Sequence, residues 1–273
     1  MKDTAQLYWR NDKLPFLELR STYGSRQSYK PHFHPTLSFG AVIAGRTRAN
    51  CSGREFVLGE GDLVLIAPHV VHSCNPIAGE ARSYHMLYLN AAWCVENVAA
   101  LQVSSFVSGS CVIRSPGLFA NYLEFVAALP DLNTSDATRG VQRLLVSAAE
   151  GAVPSAPSME NEPLAERIKQ ALLDNITARI TLDELAIEFG CRKETLIRVF
   201  RRAFHTTPYA FLNNVRVEQA KQRLKLGEEI ADVAADLGFS DQAQLHRTFV
   251  NYTASTPGQY RRARSAATIN FRQ

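Results

Sequence analysis

The sequence has no long hydrophobic run. Within its 273 residues, no apolar stretch approaches the roughly 20 residues that a helix needs to cross a bilayer. The first residues, MKDTAQLYWRND, include no hydrophobic segment of the signal-peptide type. We therefore expect a cytoplasmic protein that makes no contact with a membrane.

Cysteines and recognisable catalytic motifs are also scarce. Five cysteines, at positions 51, 74, 94, 111 and 191, are odd in number and form no CxxC pair, which fits a reducing compartment. Cys51 and Cys74 raise the hypothesis of oxidant sensing, although a free cysteine is more often a small buried apolar residue. No glycine-rich phosphate loop, nucleophile–base pair or pair of catalytic carboxylates stands out, so the sequence does not indicate an enzyme.

The charge is distributed unevenly. The net charge is +4, and residues 164–273 carry 17 lysines and arginines against 12 acidic residues, whereas residues 1–163 carry 13 against 14. A basic surplus in the C-terminal part favours a polyanionic partner there, although an ordinary solvated surface gives the same surplus.

Hydrophobic patterning divides the chain into two parts. Residues 15–90 contain short apolar runs such as LSFGAVIAG and RSYHMLYL between Gly, Pro and Ser turns, which is typical of a sandwich or barrel. Residues 117–129 and 136–150 then switch to helical spacing. We predict an all-β barrel domain with appended helices over residues 1–149, a Pro- and Ser-rich linker over 150–163, and an all-α domain over 164–273.

The C-terminal part contains an internal repeat. LAIEFGCRKETLIRVFRRAFHTTPYAFL (185–212) matches VAADLGFSDQAQLHRTFVNYTASTPGQY (233–260), with Gly190 on Gly238 and Phe200 on Phe249. Each copy has the pattern helix, glycine turn, helix, which is the helix-turn-helix unit. Thr181, Thr207 and Thr256 are predicted N-caps, and a glycine at position 227 is placed to end the long helix that begins at Pro208.

The second helix of each unit carries hydrogen-bonding side chains beside an apolar stripe, formed by Leu196 and Phe200 in the first copy and by Leu245 and Phe249 in the second. Arginine can bond bidentately to guanine and glutamine to adenine, and an apolar side chain can pack on a thymine methyl. The predicted DNA-contacting residues are Lys193, Glu194, Ile197, Arg198, Arg201, Arg202, Gln242, Gln244, His246 and Arg247.

The segment from Thr181 to Arg262 resembles the AraC family of transcription regulators. The motifs that carry the resemblance are LAIEFG, LIRVF, TTPYAFLNNVRVEQAKQRL, ADVAADLGFSDQAQLHRTF and TPGQYRR. The resemblance implies a regulator that binds double-stranded DNA through two recognition helices, with RNA polymerase as a further partner. Arg192 stands where the family usually has a serine N-cap. His205 and Ala254 stand where it usually has glycine, so the backbone there must end the helix differently or become left-handed.

The strand-rich half contains four histidines in the segments PHFHP and APHVVH. His32 and His34 are two apart, so both point to one side of a strand, and a third histidine from a neighbouring strand can complete a metal set. Together with the segment from Gly61 to Asn75, they resemble the cupin barrel that forms the sensor half of many AraC-type proteins. The glutamate of metal cupins is absent, and only Ser38 lies nearby.

Three interpretations of these histidines stay open. His32, His34 and His72 can hold a divalent metal such as zinc, with Cys74 as an extra ligand, although no cofactor is required. They can instead be hydrogen-bonded at the barrel rim. As a third possibility, His32, His34, His72 and Tyr84 can contact a small organic effector directly.

The resulting expectation is a ligand-responsive DNA-binding regulator. The alternatives are a metal-dependent cupin enzyme fused to a DNA-binding module, which needs three or four ligands and an open position, and an architectural DNA binder without an effector. We also expect a homodimer, because residues 117–150 carry apolar stripes and AraC-type proteins commonly pair through the helix after the barrel. The same stripes can instead pack only on their own barrel.

Overall fold

The computed structural model describes residues 5–98, 110–151 and 162–262. Its strands are β1 (Ala5–Arg10), β2 (Leu17–Ser25), β3 (Thr36–Ala44), β4 (Thr47–Cys51), β5 (Arg54–Leu58), β6 (Leu63–Ile66), β7 (His72–Pro76), β8 (Arg82–Asn90) and β9 (Ser110–Ile113). Its α-helices are α1 (Ala91–Asn97), α2 (Pro116–Ala128), α3 (Thr134–Gly151), α4 (Pro163–Asp174), α5 (Leu182–Glu188), α6 (Lys193–Phe204), α7 (Pro208–Lys225), α8 (Ile230–Asp236), α9 (Gln242–Thr253) and α10 (Pro257–Arg261). The predicted two-domain fold, a β-barrel followed by a helical domain, is confirmed.

Two antiparallel sheets form the N-terminal domain. One has the strand order β1-β2-β8-β3-β6-β9, and the other has the order β5-β4-β7. Side chains alternate across the strands, so the larger sheet has two different faces. Leu37 and Phe39 of β3 belong to a core shared with α2 and α3, whereas Val42 belongs to the apolar cluster between the two sheets. The cavity between the two sheets therefore lies on the inner face.

Helices α2 and α3 cover the outer face of the larger sheet. The hydroxyl of Tyr122 donates to the carbonyl oxygen of Phe39 over 2.8 Å, which fixes α2 on β3. Glu150 and Gly151, which the sequence assigned to the linker, are the last residues of α3, and Pro163 is the first residue of α4. Residues 152–161, the rest of the predicted linker, lie outside the described residues, as do residues 263–273 of the predicted DNA-binding domain.

The helical domain contains the two predicted helix-turn-helix units, α5–α6 and α8–α9, joined by α7. Thr181 and Thr256 form capping boxes, and Thr207 accepts a hydrogen bond from the backbone of Ala210, so the three predicted N-caps are confirmed. Helix α7 ends two residues before Gly227, whose φ is +86°. These boundaries follow from local signals because each cap satisfies backbone groups within one turn.

The residues that replace the family's glycines adopt left-handed backbone. His205 ends α6 and Ala254 ends α9, each with a φ of +53°. Their backbone N–H groups bond to the carbonyls of Arg201 and Val250, so both helices end in the geometry that a glycine would give. Arg192 occupies the N-cap position of α6 without a side-chain capping bond, whereas Asp241 caps α9.

The two turn glycines make a matched pair for a stability test. Gly190 and Gly238 both have positive φ, of +61° and +73°, but their surroundings differ. A Cβ at position 190 meets nothing within 4 Å, whereas a Cβ at position 238 lies 2.2 Å from the carbonyl oxygen of Thr177. We expect Gly190→Ala to cost about 1–2 kcal/mol of stability. Gly238→Ala is expected to cost about 1–3 kcal/mol more, because the backbone of Thr177 must move.

Urea denaturation of both variants tests this expectation. Thr177 lies in a loop that Arg216 anchors from α7 by donating to the carbonyls of Ile176 and Ala178, each over 2.7 Å, so the backbone there does not yield freely. Equal losses of stability in the two variants would show that the contact at Thr177 relaxes without cost.

The two domains are in direct contact. In α7, Asn214 is 2% exposed and bonds twice to Phe33 of the loop before β3, accepting from its N–H over 2.7 Å and donating to its carbonyl over 2.8 Å. The Phe33 and Phe211 rings stack with centroids 5.1 Å apart. Glu18 of β2 pairs with Lys225 of α7 over 2.8 Å. The barrel therefore rests directly on the helix that joins the two DNA-binding units.

None of the helices in the described part of the chain is long and apolar enough to cross a membrane.

Candidate effector and DNA-binding sites

A cavity of about 50 Å³ lies between the two sheets of the barrel. One part of its wall is apolar and the other part is polar. The apolar side chains include Val42, Leu58, Val64, Ile66 and Met86. The polar side chains are Arg20, Tyr29, His32, His34, Ser38, Thr47, His72, Cys74, Arg82, Tyr84, His85, Tyr88 and Tyr252. All four predicted effector residues, His32, His34, His72 and Tyr84, line this one cavity.

Three of the histidines converge at its polar end. His32 and His72 form an isolated β-bridge, with N–H···O distances of 2.9 and 2.7 Å, which places their rings 4.5 Å apart. The His34 ring lies 4.8 Å from that of His72. One ring nitrogen from each of the three lies within 4.8 Å of the others. His69 is exposed, adopts left-handed backbone and does not belong to this group.

Backbone carbonyls fix the tautomers of these histidines. Nδ1 of His32, His34 and His72 lies 3.0, 3.0 and 2.8 Å from the carbonyl oxygens of Lys30, Thr36 and Val70. Because a carbonyl only accepts, each Nδ1 carries the proton and each Nε2 keeps its lone pair. The Ser38 hydroxyl donates to Nε2 of His34 over 3.1 Å.

Burial keeps the histidines uncharged. It lowers the pKa of His72 to about 4 and holds the pKa of His32 and His34 well below the usual range. The neighbouring histidine, His72, lowers the pKa of both further, because two like charges would otherwise lie side by side. At neutral pH, the cavity thus presents three neutral imidazoles that can accept hydrogen bonds or bind a metal.

The remaining cavity groups are ordered by contacts to one another. The Tyr84 hydroxyl is hydrogen-bonded to that of Tyr29, and Arg82 donates to backbone carbonyls, including that of Cys74 over 2.7 Å. Burial and, to a smaller extent, the neighbouring Cys51 raise the pKa of the Cys74 thiol to about 12. A thiol held protonated reacts slowly with oxidants, so the environment of Cys74 disfavours oxidant sensing.

The DNA-binding domain closes one side of the cavity. Tyr252, in the last turn of α9, is among the residues that line it. Its hydroxyl donates to the carbonyl of Ala210 over 2.9 Å. Next to it, Lys221 of α7 lies 5.7 Å from the centre of the Tyr88 ring, at the edge of the histidine group. The effector cavity and the second recognition helix thus share a wall.

The first predicted recognition helix, α6, is amphipathic. Leu196, Phe200 and Ala203 are buried, and Glu194, Arg198, Arg201 and Arg202 are exposed, whereas Lys193 and Ile197 are half-buried. Lys193 pairs with Asp183 of α5 over 2.6 Å, and Arg202 forms an ion pair with Glu162. Arg201 and His205 line a crevice against the barrel. Arg198 is the exposed cation of α6 best placed to read bases.

The second recognition helix, α9, exposes Gln242, His246 and Arg247 beside the buried stripe of Leu245 and Phe249. Gln244 is half-buried, and its contact with DNA stays a prediction. Its side-chain oxygen accepts from the backbone N–H of Ser240 over 2.6 Å, so it stabilises the turn, with only its amide nitrogen left to donate to DNA.

Two family models match the chain in order. The AraC-like ligand binding domain matches residues 15–151, which is half of the chain, and a helix-turn-helix domain matches residues 185–263. This chain belongs to the AraC family. It is a transcription regulator with an N-terminal ligand-binding domain and a C-terminal helix-turn-helix DNA-binding domain.

Curated relatives of this AraC-family regulator are transcriptional regulators. The HTH-type transcriptional regulator YbfI of Bacillus subtilis (strain 168) is 27% identical over 238 residues, which cover 81% of this chain and 83% of the relative. An HTH-type transcriptional regulator of Staphylococcus aureus (strain COL) is 38% identical over 92 residues, but these cover 33% of this chain and 12% of that much longer relative.

Solved structures of ToxT from Vibrio cholerae share the fold of this AraC-family regulator. Apo ToxT of strain SCE256, in a substituted form, has a TM-score of 0.59 at 11% identity, covering 93% of this chain and 99% of that one. The unsaturated fatty acid-bound form of ToxT from the same strain has a TM-score of 0.55 at 11% identity, covering 96% and 98%. The two-domain arrangement is therefore a known one.

Sequence reasoning missed most of the polar wall of the cavity and the contacts between the domains. Arg20 and Tyr252 line the cavity, and Glu18 and Asn214 join the two domains. Two signals could have marked them: the charged residues on either side of Leu19 in an otherwise apolar strand, and an asparagine on the buried side of α7. Neither signal names a partner, since the partners of Glu18 and Asn214 lie roughly 200 residues away in the chain.

Proposed function

We propose that this AraC-family regulator reads two adjacent major-groove segments of an operator through α6 and α9, under the control of a small effector bound in the barrel cavity. The observation that carries the proposal is Tyr252, which belongs to α9 and also lines the cavity. A ligand acts only through differential contacts in two states. A ligand beside Tyr252 meets that condition directly, because its contacts change when α9 moves.

The proposal includes the partners and the place of action. Double-stranded DNA binds the exposed faces of α6 and α9, a small molecule binds among His32, His34, His72 and Tyr84, and RNA polymerase is a further partner. The regulator acts in the cytoplasm, where its DNA is, and carries out no enzymatic step.

Selection of bound sequences from a random double-stranded DNA pool tests the two-segment readout. The full-length wild type is expected to select two short motifs about one helical turn apart. Arg198→Ala is expected to relax one motif and Arg247→Ala the other, each at a cost of about 1–3 kcal/mol on the preferred sequence. Loss of affinity that is equal on every sequence would mean that these arginines contact only phosphates. Arg54→Ala, at an exposed residue of β5, is the matched control and should leave both motifs unchanged.

A homodimer is part of the proposal. Helices α2 and α3 carry a groove lined by Leu118, Phe125, Ala128, Leu132, Leu144 and Val146, on the side of the barrel away from the cavity. Val146 is 37% exposed at its edge. A second copy that packs its own α2–α3 groove here would cover Ala128, Leu132 and Val146, which the protomer leaves partly exposed, around a two-fold axis.

Sedimentation of the full-length chain at micromolar concentration tests the dimer. The wild type is expected to sediment as a dimer, and Val146→Glu as a monomer, because a carboxylate in an apolar interface is left without a partner. Val57→Glu is the control, since Val57 is 50% exposed on the smaller sheet. A monomeric wild type, with and without DNA, removes the dimer from the proposal.

The histidine group also fits a divalent metal such as zinc. Three neutral imidazoles form a three-nitrogen set, in which the Nε2 lone pair of His34 now accepts from the Ser38 hydroxyl, so that hydroxyl must turn away when a metal binds. Each Nδ1 proton is already held by a carbonyl, which is the usual support for metal-binding histidines. The cupin enzyme remains the second candidate function on this observation alone. The carboxylate ligand of metal cupins is missing, however, and Ser38 occupies its place beside His34.

A further inference from the structure

Arg20 brings a full positive charge into the effector cavity. It lies on β2, is 5% exposed, and lines both the cavity and the space that adjoins it beneath Tyr252. One terminal nitrogen, Nη2, donates to Oε1 of Gln6 over 2.9 Å. Its Nε is buried and has no hydrogen-bond partner within the described residues. Because a guanidinium stays protonated in proteins, a buried charged donor beside the cavity lacks an acceptor.

No carboxylate in residues 5–98, 110–151 and 162–262 forms an ion pair with Arg20. Glu18, two residues away on the same face of β2, is bound to Arg10 and to Lys225, each over 2.8 Å. The rings of three tyrosines surround the guanidinium carbon at 5.6–5.7 Å; they are Tyr8, Tyr29 and Tyr84. A buried charge normally has an opposite charge or a full set of hydrogen bonds, since its desolvation otherwise costs several kcal/mol.

A second buried arginine in the same cavity shows what a structural arginine looks like here. Arg82 is 1% exposed and donates to the backbone carbonyls of Ser25, Gln27 and Cys74. These hydrogen bonds occupy donors of Arg82 and connect the end of β2 with β7. Among the described residues, Arg20 has no backbone carbonyl acceptors: its contacts are the bond to Gln6, the tyrosine rings and the hydroxyl of Tyr88, none of which carries a negative charge.

The cavity combines this cation with an apolar wall. Arg20 is paired in register with Met86 of β8, which is paired in turn with Gly40 of β3. Val42 and Val64 belong to the apolar cluster that forms the other part of the wall. The three neutral histidines add hydrogen-bonding groups but no charge that could cancel that of Arg20.

We infer that the effector is a small organic acid whose carboxylate pairs with Arg20 and whose apolar body lies against Val42, Val64 and Met86. This inference rests on the proposed effector role of the cavity. A carboxylate matches a guanidinium in shape, and it supplies the acceptor that the Nε of Arg20 lacks. A neutral ligand leaves that charge unpaired.

The same arginine connects the effector to α9. Gln6 accepts from Arg20 and donates from its own amide to the carbonyl of Ala254, the residue that ends α9. A carboxylate that bonds to Arg20 competes with Gln6 for the guanidinium. Binding of the acid therefore weakens the support that the barrel gives to the C-terminal end of the second recognition helix.

Calorimetry with matched acids and amides tests the inference on the chelator-treated full-length protein. The probes are benzoate, butyrate and octanoate, each against benzamide, butyramide and octanamide. We expect at least one acid to bind, with its amide at least tenfold weaker. Arg20→Gln should lose at least tenfold in affinity for that acid, and Arg20→Lys, which keeps the charge but not the fork of donors, should lose less. Arg114→Gln, at an exposed arginine after β9, is the control and should bind as the wild type does.

Two outcomes overturn the inference while leaving an effector site in place: an amide that binds as tightly as its acid, or Arg20→Gln protein that binds the acid unchanged. If neither series binds although the full chain binds DNA, the inference fails, while an effector of another chemical class can still occupy the cavity. Without ligand, Arg20→Gln is expected to unfold at the same or a higher temperature than the wild type, because it removes an unpaired buried charge. A lower unfolding temperature would identify Arg20 as structural and also overturn the inference.

Discussion

Raising the salt concentration from about 50 mM to about 200 mM is expected to weaken the binding of one full-length protomer to a single operator site on the order of a thousandfold. Arginines that contact phosphates release condensed counterions, and added salt opposes that release. Six arginines of each protomer are expected to do so: Arg198, Arg201, Arg202, Arg247, Arg261 and Arg262. In the free protein, Arg202 pairs with Glu162 and Arg261 with Glu229, but exposed ion pairs are weak and exchange readily for phosphate.

Fluorescence anisotropy with a labelled operator measures this dependence. A plot of log affinity against log salt should be linear, and Arg262→Gln should reduce its slope by about 1. Arg46→Gln, at an exposed arginine of the barrel that pairs with Glu80, is the control and should leave the slope unchanged. An affinity that does not change with salt would contradict the proposed DNA surface.

Glu18→Gln is expected to destabilise the folded chain by about 3 kcal/mol at neutral pH. Burial by itself raises the pKa of Glu18, but Lys225, Arg10 and Lys221 outweigh it and lower the pKa from 4.5 to about 2. Each unit of pKa difference between the folded and unfolded chain corresponds to about 1.4 kcal/mol. The stabilisation is fully present above the unfolded pKa, and it is lost as the pH falls from about 4.5 towards 2. The variant leaves Arg10 and Lys225 without their shared partner at the domain boundary.

Urea denaturation, followed by tryptophan fluorescence at several pH values, tests this second prediction. The difference between wild type and Glu18→Gln should shrink as the pH falls below about 4.5, since protonation removes the same charge from the wild type. Glu188→Gln, at an exposed glutamate of α5, should change the stability by less than about 0.5 kcal/mol. A difference that persists unchanged at acid pH would show that the carboxylate charge is not what joins the domains.

Much of the helical domain was predictable because its signals are local. Thr181, Thr207 and Thr256 each cap a helix within one turn. The repeat predicts that Leu196 and Phe200 form the buried stripe of α6, as Leu245 and Phe249 form that of α9. The exposed positions of Arg198 and Arg247 follow from that stripe by helical geometry. The bond from the backbone N–H of Ser240 to the side chain of Gln244, which stabilises the turn before α9, was not among the predicted contacts.

The sequence by itself determined the two-domain order, the helix-turn-helix units and the barrel domain that contains the histidines, because periodicity and capping act over a few residues. The expected strand over His32 and His34 is wrong, since both lie in the loop before β3 and His32 forms only an isolated β-bridge. Only the tertiary structure decided that His32, His34 and His72 converge while His69 does not. It also decided that Arg20 enters the cavity without a carboxylate partner and that Tyr252 of α9 closes it. These relations join residues up to 230 positions apart, and their distances follow from sheet register and from packing between the domains, which no local pattern encodes.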